Sequence, residues 1–217
     1  MTEVEITELA RADVAHALQE DVGAADLTAG LIDPQRRARA RILARESAVI
    51  CGQPWAQAAL EQCDPSVKTT WHVSEGQRCE PNQIILEMEG SARALLTAER
   101  TALNFLQLLS AVATKTAIYV DTVNAVPNNR AQIVDTRKTI PGLRLAQKYA
   151  VKIGGGTNHR IGLYDAVLIK ENHIAAAGSI TQVLENAAHI APNALFIEIE
   201  VENLDQLAEA LDAGAKM

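Results

Sequence analysis

RAQIVDTRKTIPGLRLAQKYAVKIGGGTNHRIGLYDAVLIK, residues 130–170, holds the change of rhythm that decides the fold. Residues 132–135 (Gln-Ile-Val-Asp) predict a short strand. Pro141 suits the first turn of a helix, where its missing N–H would have no partner anyway. Residues 166–169 (Ala-Val-Leu-Ile) predict a second, buried strand. The alternation continues with a helix over 179–189 and a strand over 195–201. Asn203 with Gln206 then reads as a capping box for a helix that Gly214 ends. Strand–helix alternation of this kind means an α/β architecture, with parallel strands and helices outside, as an open sheet or a barrel.

The same stretch is strongly basic. It carries Arg130, Arg137, Lys138, Arg144, Lys148, Lys152, Arg160 and Lys170 against only Asp135 and Asp165, in a chain of formal charge −7. A local reversal of sign in an acidic protein concentrates anions at one place and repels them elsewhere. The ligand expected from this pattern is a small polyanion.

Toward the N-terminus the rhythm differs. Residues 1–22 predict an amphipathic helix, with Ile6, Leu9, Val14, Leu18 and Val22 on one side and Gly23 as its stop. Residues 36–50 alternate, Ala38, Ala40, Ile42 and Ala44 against Arg37, Arg39, Arg41 and Arg45, as a half-exposed strand does. The RRARAR run is therefore expected as a solvated strand face. A short helix over 54–63 and strands over 67–73 and 83–88, joined around Ser74-Glu75-Gly76, complete an α+β region. From Ser91 to Ala125 an apolar stripe (Leu95, Leu96, Leu103, Leu106, Leu109, Val112) runs too long for one ordinary helix, which predicts two.

Composition narrows the class. The 217 residues are 48% hydrophobic and 22% charged, as soluble globular chains are. The acidic balance argues against nucleic acid, whose binders need cations spread along a face. Cys51, Cys63 and Cys79 form no CxxC pair and are expected as reduced thiols in a cytoplasm. No unbroken apolar run approaches 18 residues, so no membrane span is expected. The start of the chain lacks the pattern of a signal peptide. Parallel barrels usually need about 250 residues, and only some three strand–helix units fit here. The barrel is therefore expected to be incomplete at its C-terminal end.

Parallel α/β folds place ligands at the carboxyl ends of their strands. Arg137 and Lys138 follow one predicted strand, Lys170 ends the next, and Glu200 lies near the end of the third. Arginine holds a carboxylate with a planar fork, while lysine acts as a compact charge for phosphate. Gly154-Gly155-Gly156, just before His159-Arg160, is expected to let backbone approach a ligand. Along 196–202 three Glu alternate with Ile197, Ile199 and Val201. One face would pack on helices while the other offers carboxylates to Mg²⁺ or ribose hydroxyls. His16 and His173 have no metal-ligand spacing and are expected to be structural.

Residues 135–144 (Asp-Thr-Arg-Lys-Thr-Ile-Pro-Gly-Leu-Arg) resemble the signature of the quinolinate phosphoribosyltransferases, the nicotinate-nucleotide pyrophosphorylases of NAD synthesis. Residues 96–105, 148–151, 154–163, 168–174 and 197–203 continue the resemblance in order, over nearly the whole chain. It implies an N-terminal α/β sandwich over 1–103, which covers substrate and dimerises, and an incomplete, C-terminally truncated α/β barrel over 104–217. It also implies a pentosyltransferase acting on quinolinate and phosphoribosyl pyrophosphate with Mg²⁺. The oligomer implied is a homodimer, or a larger assembly, with shared active sites. Thr136, Arg137, His159, Arg160 and the partner subunit's Arg100 would hold substrate. Lys138 and Lys170 would act in catalysis as well as binding, and Glu200 would take the metal or ribose.

Two other classes stay open. Lys170 at a strand end is where a Schiff-base aldolase keeps its lysine. Residues 71–89 resemble a carrier-domain hairpin, but no lysine lies between Lys68 and Lys115 to be modified. A non-catalytic chain that folds and dimerises is a further alternative.

Overall fold

The computed structural model describes residues 2–217, which form a compact unit up to Asn158 and a second from His159 onward. The first unit opens with helix α1 (Glu3–Val22). Thr2 caps it, its hydroxyl accepting from the Glu5 N–H while the Glu5 carboxylate accepts from the Thr2 N–H at 2.7 Å. A 3₁₀ turn (Ala29–Leu31) leads to β1 (Arg37–Leu43), β2 (Ala48–Val49), α2 (Gln53–Cys63), β3 (Lys68–Trp71), β4 (Arg78–Cys79) and β5 (Ile84–Ser91). β1, β5 and β3 make an antiparallel sheet in that order, and β2 pairs with β4.

The alternation in β1 does what its spacing implies. Ala38, Ala40 and Ile42 pack toward Leu86 and Met88 of β5, and the arginines face outward. On the outer face Arg39 lies opposite Glu89, which lies opposite Lys68 on β3. The Arg39 guanidinium stands 2.9 Å from the Glu89 carboxylate, and His72 stands 2.9 Å from Glu87. Cross-strand pairs of opposite charge stabilise a wet sheet face. Arg39 of the arginine run is thus answered within the sheet.

One continuous 33-residue helix, α3 (Ala92–Asn124), stands where two helices were expected. It contains neither Gly nor Pro, and its apolar face stays buried along most of its length, from Leu95, Ala98 and Ala102 to Leu109, Ala113 and Ala117. Nothing along it provides a break. It is also the one helix among the described residues long and apolar enough, by length and composition, to cross a membrane. It passes that test without containing an unbroken apolar run of that length. Here its small residues serve the core, packing with α1, α2 and α4 (Arg144–Ile153) around fully buried Trp55.

Pro141 does not open a helix. Ile140 accepts from the Leu143 N–H at 3.1 Å and Gly142 has φ +84°, so Pro141 and Gly142 are the corners of a turn and α4 begins only at Arg144. Proline then a left-handed glycine is the pattern of a type II turn. The strand expected over 132–135 contracts to one parallel bridge, Val134 with Thr157.

The second unit carries β6 (Val167–Ile169), α5 (Glu171–Ala177), α6 (Ile180–Ile190), β7 (Ile197–Ile199) and α7 (Leu204–Asp212). β6 and β7 pair in parallel, Val167 with Ile197 and Ile169 with Ile199. Their apolar side chains bury against Ile180, Leu184, Ala187 and Ala210. Asn203 caps α7 by accepting from the Gln206 N–H at 2.9 Å, as its spacing implied. The chain is a mixed α/β protein with a sheet-bearing N-terminal part and an alternating C-terminal part.

Candidate active site

In the first unit, Thr136, Arg137 and Lys138 leave the Val134 bridge as a short open segment. The Lys138 N–H donates to the Thr136 hydroxyl at 3.1 Å, which curls the segment. The Arg137 side chain is tucked inward. Its Nε is buried and, alone among buried side-chain polar atoms of the described residues, has no hydrogen-bond partner. Leaving a buried, charged donor unsatisfied carries a desolvation penalty, so an orphan of this kind marks where an anion is expected. Lys138 is exposed and borders a cavity of about 140 Å³ with Asp135, Thr136, Thr139 and Lys148.

Beneath this segment lies a buried polar network that the sequence did not reveal. Lys148 of α4 is ion-paired with Asp135. The Asn158 amide donates to the other Asp135 oxygen at 2.6 Å and to the Lys148 carbonyl at 2.8 Å. The triple glycine also has a packing role. A Cβ on Gly154 would meet the Ala113 carbonyl at 2.4 Å, and one on Gly156 would meet Val151 at 2.8 Å and Thr116 at 2.9 Å. These two glycines let the loop close onto α3 and α4. Arg100 lies exposed on α3.

The second unit carries two of its site residues just beyond the ends of its strands. Lys170 follows β6 and Glu200 follows β7, with the ammonium 3.0 Å from the carboxylate. His159 is mostly buried. Its Nε2 lies 2.7 Å from Glu198 and its ring centroid 4.6 Å from that of Phe196. Arg160 beside it is half-buried. The alternating glutamates therefore divide: Glu198 holds a histidine, Glu200 pairs a lysine, and Glu202 is exposed. His173 is structural as expected, its Nδ1 accepting from the Lys170 N–H at 3.0 Å to cap α5. No cluster of three His, Cys, Asp or Glu suited to a metal occurs among the described residues.

Cys51, Cys63 and Cys79 are free. Burial pushes the Cys51 and Cys63 thiols up, and the neighbouring Glu75 adds to the effect at Cys51. Neither is poised as a nucleophile.

Two family models match in sequence, the N-terminal domain of quinolinate phosphoribosyl transferase over residues 26–110 and its C-terminal domain over 112–217. The probable nicotinate-nucleotide pyrophosphorylase (carboxylating) of Bacillus subtilis is 40% identical over 92% of this chain and 68% of its own length. The chain belongs to the quinolinate phosphoribosyltransferase family. A Synechocystis relative of the same name is 42% identical over 89% of the chain and 65% of its own length. The solved nicotinate-nucleotide pyrophosphorylase of Francisella tularensis superposes with a TM-score of 0.90 at 44% identity, covering 96% of this chain and 73% of that one. The chain thus spans about two thirds of the length of these curated relatives. The motifs that carried the resemblance fall on α3, on the Arg137–Lys138 segment, on α4 and the glycine loop after it, and on the strand ends of Lys170 and Glu200.

Proposed function

We propose that this chain transfers the phosphoribosyl group of phosphoribosyl pyrophosphate to quinolinate with loss of CO₂, giving nicotinate mononucleotide and pyrophosphate. The observation that carries the reading is the buried, unpartnered Nε of Arg137 in a cation-rich segment of an acidic chain. Quinolinate bears two adjacent carboxylates, and a guanidinium fork is the side chain suited to one of them. Arg137, His159 and Arg160, with Thr136 and the partner subunit's Arg100, take the dicarboxylate. Arg100 sits exposed on α3, where a second subunit of the proposed homodimer could receive it.

The pyridine nitrogen attacks C1 of the ribose as the bond to pyrophosphate breaks, through an oxocarbenium-like state. Pyrophosphate leaves with the electron pair, and Lys138 and Lys170, bridging quinolinate and the pyrophosphate, stabilise the charge that accumulates there. The ring 2-carboxylate then departs as CO₂. Its electron pair stays on the ring carbon beside the quaternised nitrogen until a proton arrives. The protein supplies position and positive field, with no nucleophile.

Glu200 suits a divalent ion held mainly by substrate phosphates, since Mg²⁺ commonly takes only one or two protein carboxylates in such sites. A bound Mg²⁺ there would neutralise part of the pyrophosphate charge. The aldolase reading loses ground, because a Schiff-base lysine is desolvated whereas the Lys170 side chain is 44% exposed and paired with Glu200.

The test is calorimetric titration with quinolinate and with nicotinate, which has one carboxylate fewer. An unmatched guanidinium and a lost charge-assisted contact should weaken nicotinate by roughly 2–4 kcal/mol. Equal affinity for the two acids would remove the dicarboxylate clamp. Release of pyrophosphate and CO₂ from quinolinate and phosphoribosyl pyrophosphate then checks turnover.

A further inference from the structure

The reaction proposed above makes no use of the buried network at the root of the 136–138 segment. Lys148 is 1% exposed, yet it carries a charge and answers it with Asp135, whose side chain is also largely hidden. Removing both charges from water is costly, and apolar residues of the same volume usually pack there at no loss of stability. What apolar residues cannot supply is direction. The Asp135 carboxylate is fixed from two sides, by the Lys148 ammonium and the Asn158 amide. Its backbone N–H donates to the Thr157 carbonyl at 3.2 Å, while the Thr157 N–H donates to the Ile133 carbonyl at 2.8 Å.

The far end of the segment is fixed to the same helix. The Ile140 N–H donates to the Gln147 side-chain oxygen at 2.7 Å, and the Arg144 guanidinium donates to the Thr139 hydroxyl at 3.2 Å. Residues 135–140 are thus fastened to α4 at both ends, through Lys148 at one and Gln147 at the other. Between the fastenings lie Arg137, whose Nε has no partner, and Lys138 on its small cavity. The Lys148 side chain is itself almost fully enclosed, at 2% exposure, and so acts on its neighbours and not on a ligand.

We propose that Lys148, with Asp135 and Asn158, is the positioning group of this site, setting where Arg137 and Lys138 stand without touching substrate. The inference rests on the reading of those two cations as quinolinate ligands. It assigns α4 a role in affinity as well as in the fold.

The test is equilibrium titration of the whole chain with quinolinate. Lys148→Met/Asp135→Asn removes both charges together, so that no lone charge is left buried. It should melt near the parent yet bind quinolinate about tenfold or more weakly. Asn158→Ala, which leaves the ion pair in place, should weaken binding in the same direction. In an Arg137→Ala/Lys138→Ala background the double change should cost about twofold or less, because residues that act through one another are not additive. A purely structural role would give the same fold-loss in both backgrounds. If the parent does not bind quinolinate, the functional reading fails. If the parent binds and both variants bind equally well, or if the losses are additive, the positioning role is overturned.

Discussion

Lys170 and Glu200 end neighbouring parallel strands and meet there, ammonium to carboxylate at 3.0 Å, one residue beyond the paired Ile169 and Ile199. Both side chains are roughly half-exposed. An ion pair so open to water contributes little to stability, about 0–1 kcal/mol. Its interest is chemical. It holds a cation and an anion side by side at the end of two strands, where α/β proteins receive ligands.

Glu200→Gln should therefore leave the melting temperature nearly unchanged while raising the apparent requirement for Mg²⁺ or phosphoribosyl pyrophosphate. Initial rates measured against each ligand will separate this from a loss of turnover. A variant with unchanged ligand requirements would take Glu200 out of the metal and ribose assignment.

Asp13 gives a pH-dependent prediction away from the site. Its carboxylate accepts from the Trp55 indole N–H at 2.8 Å. Burial pushes its pKa up, more than the Trp55 bond and nearby His16 pull it down. A carboxyl whose folded pKa is raised loses its proton earlier in the unfolded chain. Stability therefore falls as pH rises from about 4 through the raised value, and the loss is constant above it. Asp13→Asn stays neutral and keeps an acceptor for Trp55. It should melt at or above the parent at pH 7, with the advantage fading as the pH approaches 4. Paired thermal melts across that range check this, and a difference independent of pH would contradict it.

Arg100 tests whether sites are shared. Arg100→Ala and Lys138→Ala chains, each impaired alone, should recover part of their activity when mixed and allowed to exchange subunits. A mixed dimer would contain one site with both residues intact. No recovery over either parent would mean that each subunit works alone.

Much of this was legible from spacing. The Arg/Ala alternation of residues 37–42, the capping Asn203 and the strand ends of Lys170 and Glu200 depend on local periodicity, and the structure keeps them. Errors arose where a tertiary partner decides. Pro141 fits a helix start as well as a turn corner, and Gly142 selects the turn by adopting positive φ. Residues 132–135 carry the β-branched pair Ile133-Val134 but form only one bridge, Val134 with Thr157. Alternation put Glu198 and Glu200 on one face, yet their neighbours across β7, His159 and Lys170, give them different tasks. Lys148 was least legible of all. A lysine in a helix ordinarily reads as solvated, and its partner lies 13 residues away across a turn.

Lys138 separates electrostatic catalysis from simple binding. It is exposed on the 136–138 segment and borders a cavity, so it can meet an anion without first giving up a buried partner. If it faces charge that moves onto pyrophosphate as the glycosidic bond breaks, its contact strengthens in the transition state, and only such contacts raise kcat. Lys138→Ala should then lower kcat by about a hundredfold or more, the usual scale for one preorganised electrostatic group. Lys138→Arg should rescue only in part, because a planar fork does not replace a compact ammonium that must touch two ligands. Steady-state kinetics on both variants decide it. A Lys138→Ala enzyme with normal kcat and a raised KM for quinolinate would make Lys138 a binding residue alone.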